Sequence, residues 1–273
     1  MTLSSEDKAR IVVLDGAGNF RDFGGYATDS GGQVKRGQLF RSNRLSQLSS
    51  ADIVTLDGTG IATVFDLRSP RERDADPTAW HASRLEFHNW PPGHKRRLVD
   101  MALEYPRDAA GARQLMLDFY AELPRTLGHA FAGILRKVAG GAVPCVIHCS
   151  AGKDRTGMAA ALVLSALGVP RETVLADYAM TDRIVASEDD MARSLFTGKD
   201  GGEKAHSALR QAFSDEAIAV MRSARPEFLE SAFAGIDREF GSLHEYYDSI
   251  GVDETVRAKL AALLVEPARD MEN

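Results

Sequence analysis

The 273-residue sequence holds only two cysteines, Cys145 and Cys149, and no long apolar run. So few thiols exclude a disulfide framework and suit a reducing compartment. The two cannot pair with each other either: across an extended segment their Cα atoms lie ~13 Å apart, beyond the ~7 Å that a disulfide tolerates. Cys145 therefore reads as an inert core residue. No stretch approaches the ~20 apolar residues of a membrane span, and residues 1–14 (MTLSSEDKARIVVL) lack the apolar centre of a signal peptide. Stable membrane insertion is not expected, and the default location is cytoplasmic, since export by another route leaves no mark in a sequence. Positive charge is also scarce: 33 Lys and Arg against 39 Asp and Glu give a net charge of −6. The whole molecule thus offers no electrostatic case for nucleic acid, and any basic site must be concentrated. The seven histidines show no ligand spacing, so no metal and no cofactor are expected. Internal repeats and low-complexity tracts are absent.

What is present suits one α/β domain spanning 1–273, with 44% apolar and 26% charged residues. Residues 11–41 read as a compact N-terminal β element: IVVL, a glycine-rich turn region, then QLFRS. Ser49 to Asp57 has the look of a helix start. Ile61 to Leu67 (IATVFDL) reads as a central strand ending in Asp66 and Arg68, and Leu85 to Trp90 as a further strand. If the first is parallel to the strand at Val143–Ile147, Asp66 and Arg68 lie at the carboxyl ends of strands, where ligands of α/β sheets collect. An ion pair of Asp66 with Arg71 or Arg73 is the alternative. His94 to Arg97 is the one dense basic run, suited to an anionic substrate or to solvent.

Leu115, Met116, Phe119, Tyr120 and Leu123 recur at helical spacing, as do Leu127, Phe131, Ile134, Leu135 and Val138. Pro124 between them marks a break or a helix start. The second set reads as core, and the first as core or as a lid helix over 100–123. From 181 to 265 the chain reads helical, with the glycine-rich, charged run 197–204 as a flexible connection.

The densest chemistry lies in Val143 to Thr156, VPCVIHCSAGKDRT. A short apolar strand runs into a loop of small residues and then into a buried helix, and such a strand-to-helix loop presents unpaired N–H groups and the positive end of a helix dipole to an anion. Ser150, Ala151 and Gly152 keep that loop small enough for phosphate to approach the main chain. Cys149 opens the loop; a free thiol of pKa about 8.5 falls to roughly 3.5–7.5 in such surroundings, and the thiolate is the nucleophile. Arg155, six positions on, offers a planar fork for two oxygens of a transferring phosphoryl group. Thr156 can offer its hydroxyl to the sulfur, and His148 precedes the nucleophile as an orienting or tuning residue.

His148-Cys149, five residues, then Arg155-Thr156 resembles the HC-x5-R-[S/T] signature of cysteine-based protein tyrosine phosphatases. A chance match at its constrained positions is on the order of 10⁻⁴ or less. Further segments extend the likeness over roughly residues 15 to 265: NFRD-x-GG at Asn19 to Gly25, DLRS-x-x-E-R from Asp66 to Arg73, AGKDRTG, ADY at Ala176 to Tyr178, and the helical PEFLESAFAGIDREFGSLHEYY. Together they are similar to the bacterial family typified by mycobacterial protein tyrosine phosphatase B.

The resemblance implies a cysteine-phosphatase fold, a central, mostly parallel sheet flanked by helices with added lid and C-terminal helices. It implies a substrate that is a phosphotyrosine protein, with phosphoserine, phosphothreonine and phosphoinositides as further candidates. It also implies Cys149 as nucleophile, Arg155 as transition-state clamp, and the backbone N–H groups of Ser150, Ala151, Gly152, Lys153, Asp154 and Arg155 around phosphate, with Asn19 and Arg21 as supporting residues. Trp90-Pro91 is similar to the acid loop of tyrosine phosphatases, but Pro92 stands where that loop has aspartate. Asp154 is then the first choice of proton donor and Asp66 the second. Lys153 either meets extra phosphates on the substrate or faces solvent. Two other classes fit a loop of this kind: a non-catalytic phosphate-binding module, against which Cys149, Arg155 and Thr156 argue, and a rhodanese-like sulfurtransferase, which thiosulfate:cyanide activity would reveal.

Overall fold

A computed structural model describes residues 3–90, 98–184 and 212–267. The central sheet is built from β1 (Arg21–Asp22), β3 (Leu39–Ser42), β4 (Thr63–Asp66), β5 (Glu86–Asn89) and β6 (Cys145–His148), in the spatial order β1-β3-β6-β4-β5. β1 is antiparallel to β3, and every other neighbouring pair is parallel. A separate antiparallel pair joins β2 (Gly32–Val34) to β7 (Val265–Pro267). The expected mixed α/β architecture with a mostly parallel sheet is the one found.

Side-chain alternation along the strands explains how the sheet is covered. Leu39, Phe65, Cys145 and Ile147 enter one large core, whereas Phe40, Val64 and Val146 point the other way into a smaller one with Leu56 and Trp80. Strands buried on both faces need apolar residues at successive positions, which is why these segments read as short continuous apolar runs. The smaller core is closed by α2 (Ser50–Asp57). The larger lies under α5 (Ala109–Ala139), α6 (Asp154–Ala166), α7 (Arg171–Ala179), α9 (Asp215–Arg222), α10 (Pro226–Phe240), α11 (Leu243–Ser249) and α12 (Glu254–Leu264). Shorter helices are α1 (Ser5–Arg10), α3 (Pro70–Ala75), α4 (Leu98–Ala102) and α8 (Thr181–Ile184). Reciprocal capping boxes start α1, α2 and α3 through Ser4 with Asp7, Ser49 with Asp52, and Ser69 with Glu72.

Four expectations need correction. Ile11 to Leu14 is not a strand, since only Ile11 bridges to Arg21 and Val13 lies exposed. The C-terminal part is not all helical: α12 stops at Leu264, and β7, three residues that follow it without a break, carries too little pattern to read. Pro124 does not interrupt a helix, because α5 runs through it for 31 residues. A proline inside a helix costs about 3 kcal/mol. Burial of Leu115, Met116, Tyr120, Leu123, Phe131, Ile134, Leu135 and Val138 along one face of α5 offsets that several times over. The Pro124 carbonyl also accepts from the Tyr246 hydroxyl at 3.0 Å. The possible lid helix over 100–123 is not one separate element: α4 covers Leu98–Ala102, and residues 109–123 are the first half of a core helix flanked by α9 and α10. The basic run 94–97, the Trp-Pro-Pro loop beyond Trp90 and the glycine-rich run 197–204 lie outside the described residues.

Candidate active site

Cys149 is the first residue beyond β6, buried at 1% exposure, and the loop it opens closes at Asp154, where α6 begins. The strands on either side are parallel in register, with Asp66 and Ser42 both opposite His148, so three strand ends converge here. Unlike α2 and α3, α6 has no side-chain cap. The amides of Ser150, Ala151, Gly152 and Lys153 make no main-chain hydrogen bond among the described residues. The loop is therefore a concentration of N–H donors at a helix N-terminus, which is an anion site by construction.

The loop is held from below by buried charge. The Gly152 carbonyl accepts from Asn19 Nδ2 at 2.9 Å and from Arg41 Nη2 at 3.1 Å. Arg41 Nη1 donates to Asp177 Oδ2 at 2.7 Å; Arg21 donates through Nη2 to the Asp177 carbonyl at 2.8 Å and through Nη1 to Asn19. Burial pushes the Arg21 guanidinium down to about 10, with Arg41 adding to the effect and Asp177 opposing it. Burial would raise Asp177, but Arg21 and Arg41 overcome it and hold the carboxyl below its ordinary value. Gly152 itself has φ +66°, and a Cβ there would stand 2.5 Å from the Ser42 carbonyl oxygen. The glycine is needed for this close passage under the loop as much as for the room above it.

At the mouth, Glu72 holds Arg155. Glu72 Oε2 accepts from Arg155 Nη1 at 2.8 Å and Oε1 from Nη2 at 2.7 Å; the Leu67 carbonyl takes a further bond from Nη1 at 3.1 Å, and Ser150 Oγ donates to Glu72 Oε1 at 2.5 Å. Burial opposes ionisation of Glu72, yet Arg155 and the Ser150 hydroxyl hold its carboxyl well below the carboxylate range. Burial likewise works against the Arg155 cation, and Glu72, Cys149 and Asp154 together more than reverse it. Arg155 thus feels both the cysteine and the aspartate. Glu72 takes both Nη groups of the guanidinium and Nη2 also reaches Ser150 Oγ at 3.4 Å, whereas Nε makes no hydrogen bond among the described residues and is the donor left for a ligand.

Asp154 stands on the opposite flank. Its Oδ1 accepts from the Tyr120 hydroxyl at 2.7 Å and lies 3.2 Å from Lys153 Nζ, and the Tyr120 and Tyr178 hydroxyls are 2.6 Å apart. Lys153 is fully buried and donates to the carbonyls of Met221 at 2.6 Å and Ser223 at 3.2 Å, at the C-terminal end of α9. It neither faces solvent nor reaches outward toward a substrate, which corrects both readings of it. Thr156 Oγ1 is buried with no hydrogen-bond partner among the described residues, so the expected bond to the sulfur is not formed. Asp66 is bound by its near neighbour Arg68, through Nε and Nη2 at 2.8 to 3.1 Å, not by Arg71 or Arg73. Burial would raise the Asp66 carboxyl, but His148 and Arg68 hold it below the ordinary value. Arg68 supports that carboxylate and the Asp76 carbonyl, not the loop directly. His148 is wholly buried, 3.7 Å from Asp66, and burial takes it down to about 4 despite that neighbour, so it is neutral near pH 7. Burial raises the Cys145 thiol strongly, in keeping with an inert core residue.

A model of the tyrosine phosphatase family matches residues 12–266. The chain belongs to that family. Among its relatives in the tyrosine phosphatase family, a candidate tyrosine-protein phosphatase of Cupriavidus necator is 30% identical over 245 residues, covering 89% of this chain and 85% of the relative. The triple specificity protein phosphatase PtpB of Mycobacterium tuberculosis is also 30% identical, over 93% of this chain and 99% of its own length. A tyrosine-protein phosphatase of Nostoc commune is 26% identical over 78% of this chain and 69% of the relative.

Several members of this phosphatase site carry no role in the sequence reading: Arg41, Glu72, Tyr120, Asp177 and Tyr178. Glu72 and Asp177 lie inside segments that carry the family likeness, yet their partners are distant in sequence, 83 residues away for Glu72 and 136 for the Asp177–Arg41 pair. Tyr120 sits in an apolar helical stripe that marks it as core, which it also is.

Proposed function

We propose that this tyrosine phosphatase family member hydrolyses phosphate monoesters on protein tyrosine through a phosphocysteine intermediate. The observation that carries the reading is the meeting of Cys149, Arg155 and Asp154 on one loop of open amides, with Arg155 oriented by Glu72. The Cys149 thiolate attacks phosphorus in line, while loop amides and Arg155 Nε hold the equatorial oxygens. As the ester P–O bond breaks, Asp154 gives its proton to the leaving oxygen. The ionised Asp154 then takes a proton from water, whose oxygen attacks phosphorus; the S–P bond breaks, returning thiolate and releasing inorganic phosphate. Both contacts to Asp154 fall on Oδ1, so the travelling proton belongs to Oδ2.

A positioned acid matters most for alkyl esters, whose leaving oxygens are poor without protonation, so the substrate range extends to phosphoserine and phosphothreonine. The triple specificity named for the M. tuberculosis relative supports the same extension. Lys153, turned into the Met221 and Ser223 carbonyls, gives no contact to the additional phosphates of a phosphoinositide. Phosphate release from phosphotyrosine peptide, phosphoserine peptide and mono-phosphorylated phosphoinositide, with chelator present, tests the reading against Cys149→Ser. Release that survives the chelator and disappears in Cys149→Ser is expected. Release unaffected by Cys149→Ser, or none from any substrate, would overturn it.

A further inference from the structure

We infer that Tyr120 and Tyr178 form a hydroxyl chain that positions Asp154 as the proton donor, making both tyrosines positioning residues for the leaving-group step. This rests on the reading of Asp154 given above.

The argument begins with donor bookkeeping. A tyrosine hydroxyl has one proton to give. Tyr120 gives its proton to Asp154 Oδ1, so in the 2.6 Å contact between the two hydroxyls Tyr178 must be the donor and Tyr120 the acceptor. The chain Tyr178 to Tyr120 to Asp154 therefore has one direction. Both rings are fully buried, packed edge to face at 74° with centroids 6.0 Å apart, and Tyr120 also packs on Phe228. Burial first, and Asp154 second, place both phenols well above their ordinary values, so the donors stay protonated wherever the enzyme works.

A side chain so constrained can do two things for Asp154. It fixes the carboxyl rotation and, together with Lys153 Nζ at 3.2 Å, occupies Oδ1, leaving Oδ2 to carry the proton. The hydroxyls come from two helices, α5 and α7, that would need no polar group here for packing alone. Phenylalanine would fill the same space.

Tyr120→Phe removes one oxygen and keeps the ring. Its kcat on an alkyl phosphate should fall about 10-fold with KM little changed, and its kcat on an aryl phosphate by less than about 3-fold, because an aryl oxygen leaves without help. Tyr178→Phe, one bond further away, should show the same alkyl-selective loss at smaller size, and serves if Tyr120→Phe does not fold. In the Asp154→Asn background, Tyr120→Phe should add nothing, since the residue it serves is already gone. Equal losses on both substrate types, or a loss in Tyr120→Phe that multiplies with Asp154→Asn, would overturn the inference while leaving Asp154 as the acid. Asp154→Asn with full alkyl activity would instead remove the acid assignment, and this inference with it.

Discussion

Two arginine–carboxylate groups flank the loop from Cys149 to Arg155, and the same chemistry serves different ends in each. Under the loop, Asp177 sits between Arg21 and Arg41, with all three side chains at 2% exposure or less. At the mouth, Arg155 and Glu72 are each about a quarter exposed. The buried group has two cations for one carboxylate and, among the described residues, meets the loop through the Gly152 carbonyl. The mouth group is balanced, one to one, and leaves Nε of its guanidinium without a partner among the described residues. Burial makes an ion pair costly to break; partial exposure makes it cheap to rearrange. The first arrangement suits a foundation and the second a working part.

Substitutions that separate stability from turnover would sharpen or break this contrast. Asp177→Asn leaves two buried guanidinium groups without a carboxylate, and should cost about 3–5 kcal/mol. For a chain of this size that lowers Tm by roughly 6–20 °C, read by thermal melting. A melting temperature within a few degrees of the parent would show that the floor is not held by charge.

His148, wholly buried at the end of β6, makes stability depend on pH. Its folded-state value of about 4 lies below the ordinary 6.5, so the unfolded chain binds the extra proton first. Stability is therefore full above pH 6.5 and declines as pH falls toward 4, by on the order of 3 kcal/mol from this group. In His148→Gln the fall in Tm between pH 6.5 and 4 should be visibly shallower; an unchanged slope would assign acid sensitivity to other groups.

Glu72→Gln should show the smallest effect on folding and a larger one on rate. Glutamine can still accept from the Ser69 amide that Glu72 Oε2 caps at 2.8 Å, so a Tm change of no more than about 3 °C is expected. Arg155 would lose its charged anchor, and kcat should fall roughly 10-fold. A melting loss as large as that of Asp177→Asn would make the mouth group structural as well, and the contrast would vanish.

The loop was legible because its chemistry is local: Cys149, Arg155 and the small residues between them lie within seven consecutive positions. The sheet was legible because strands buried on both faces leave apolar runs. Long-range partners left no such trace. Lys153 reads as a surface cation until α9 is seen to supply two carbonyls to it, and Asp66 reads as a second acid until Arg68 folds back onto it. Thr156 is adjacent in the signature, yet its buried hydroxyl has no hydrogen-bond partner among the described residues. Pro124 misleads in the opposite sense, since a strong local preference yields there to the packing of a whole helix face.

The Gly152 carbonyl has one last consequence. A trans peptide unit is a rigid plate whose C=O and N–H point in opposite directions. Asn19 and Arg41 grip the oxygen from beneath, so the N–H on the far side of that plate, which belongs to Lys153, must face up into the loop. The Ser150 carbonyl, held by the Arg44 amide at 3.1 Å, fixes the plate that carries the Ala151 N–H in the same way. The loop's dipoles are thus aimed like weather vanes locked by their tails, by groups that lie on the opposite side from anything the loop would bind.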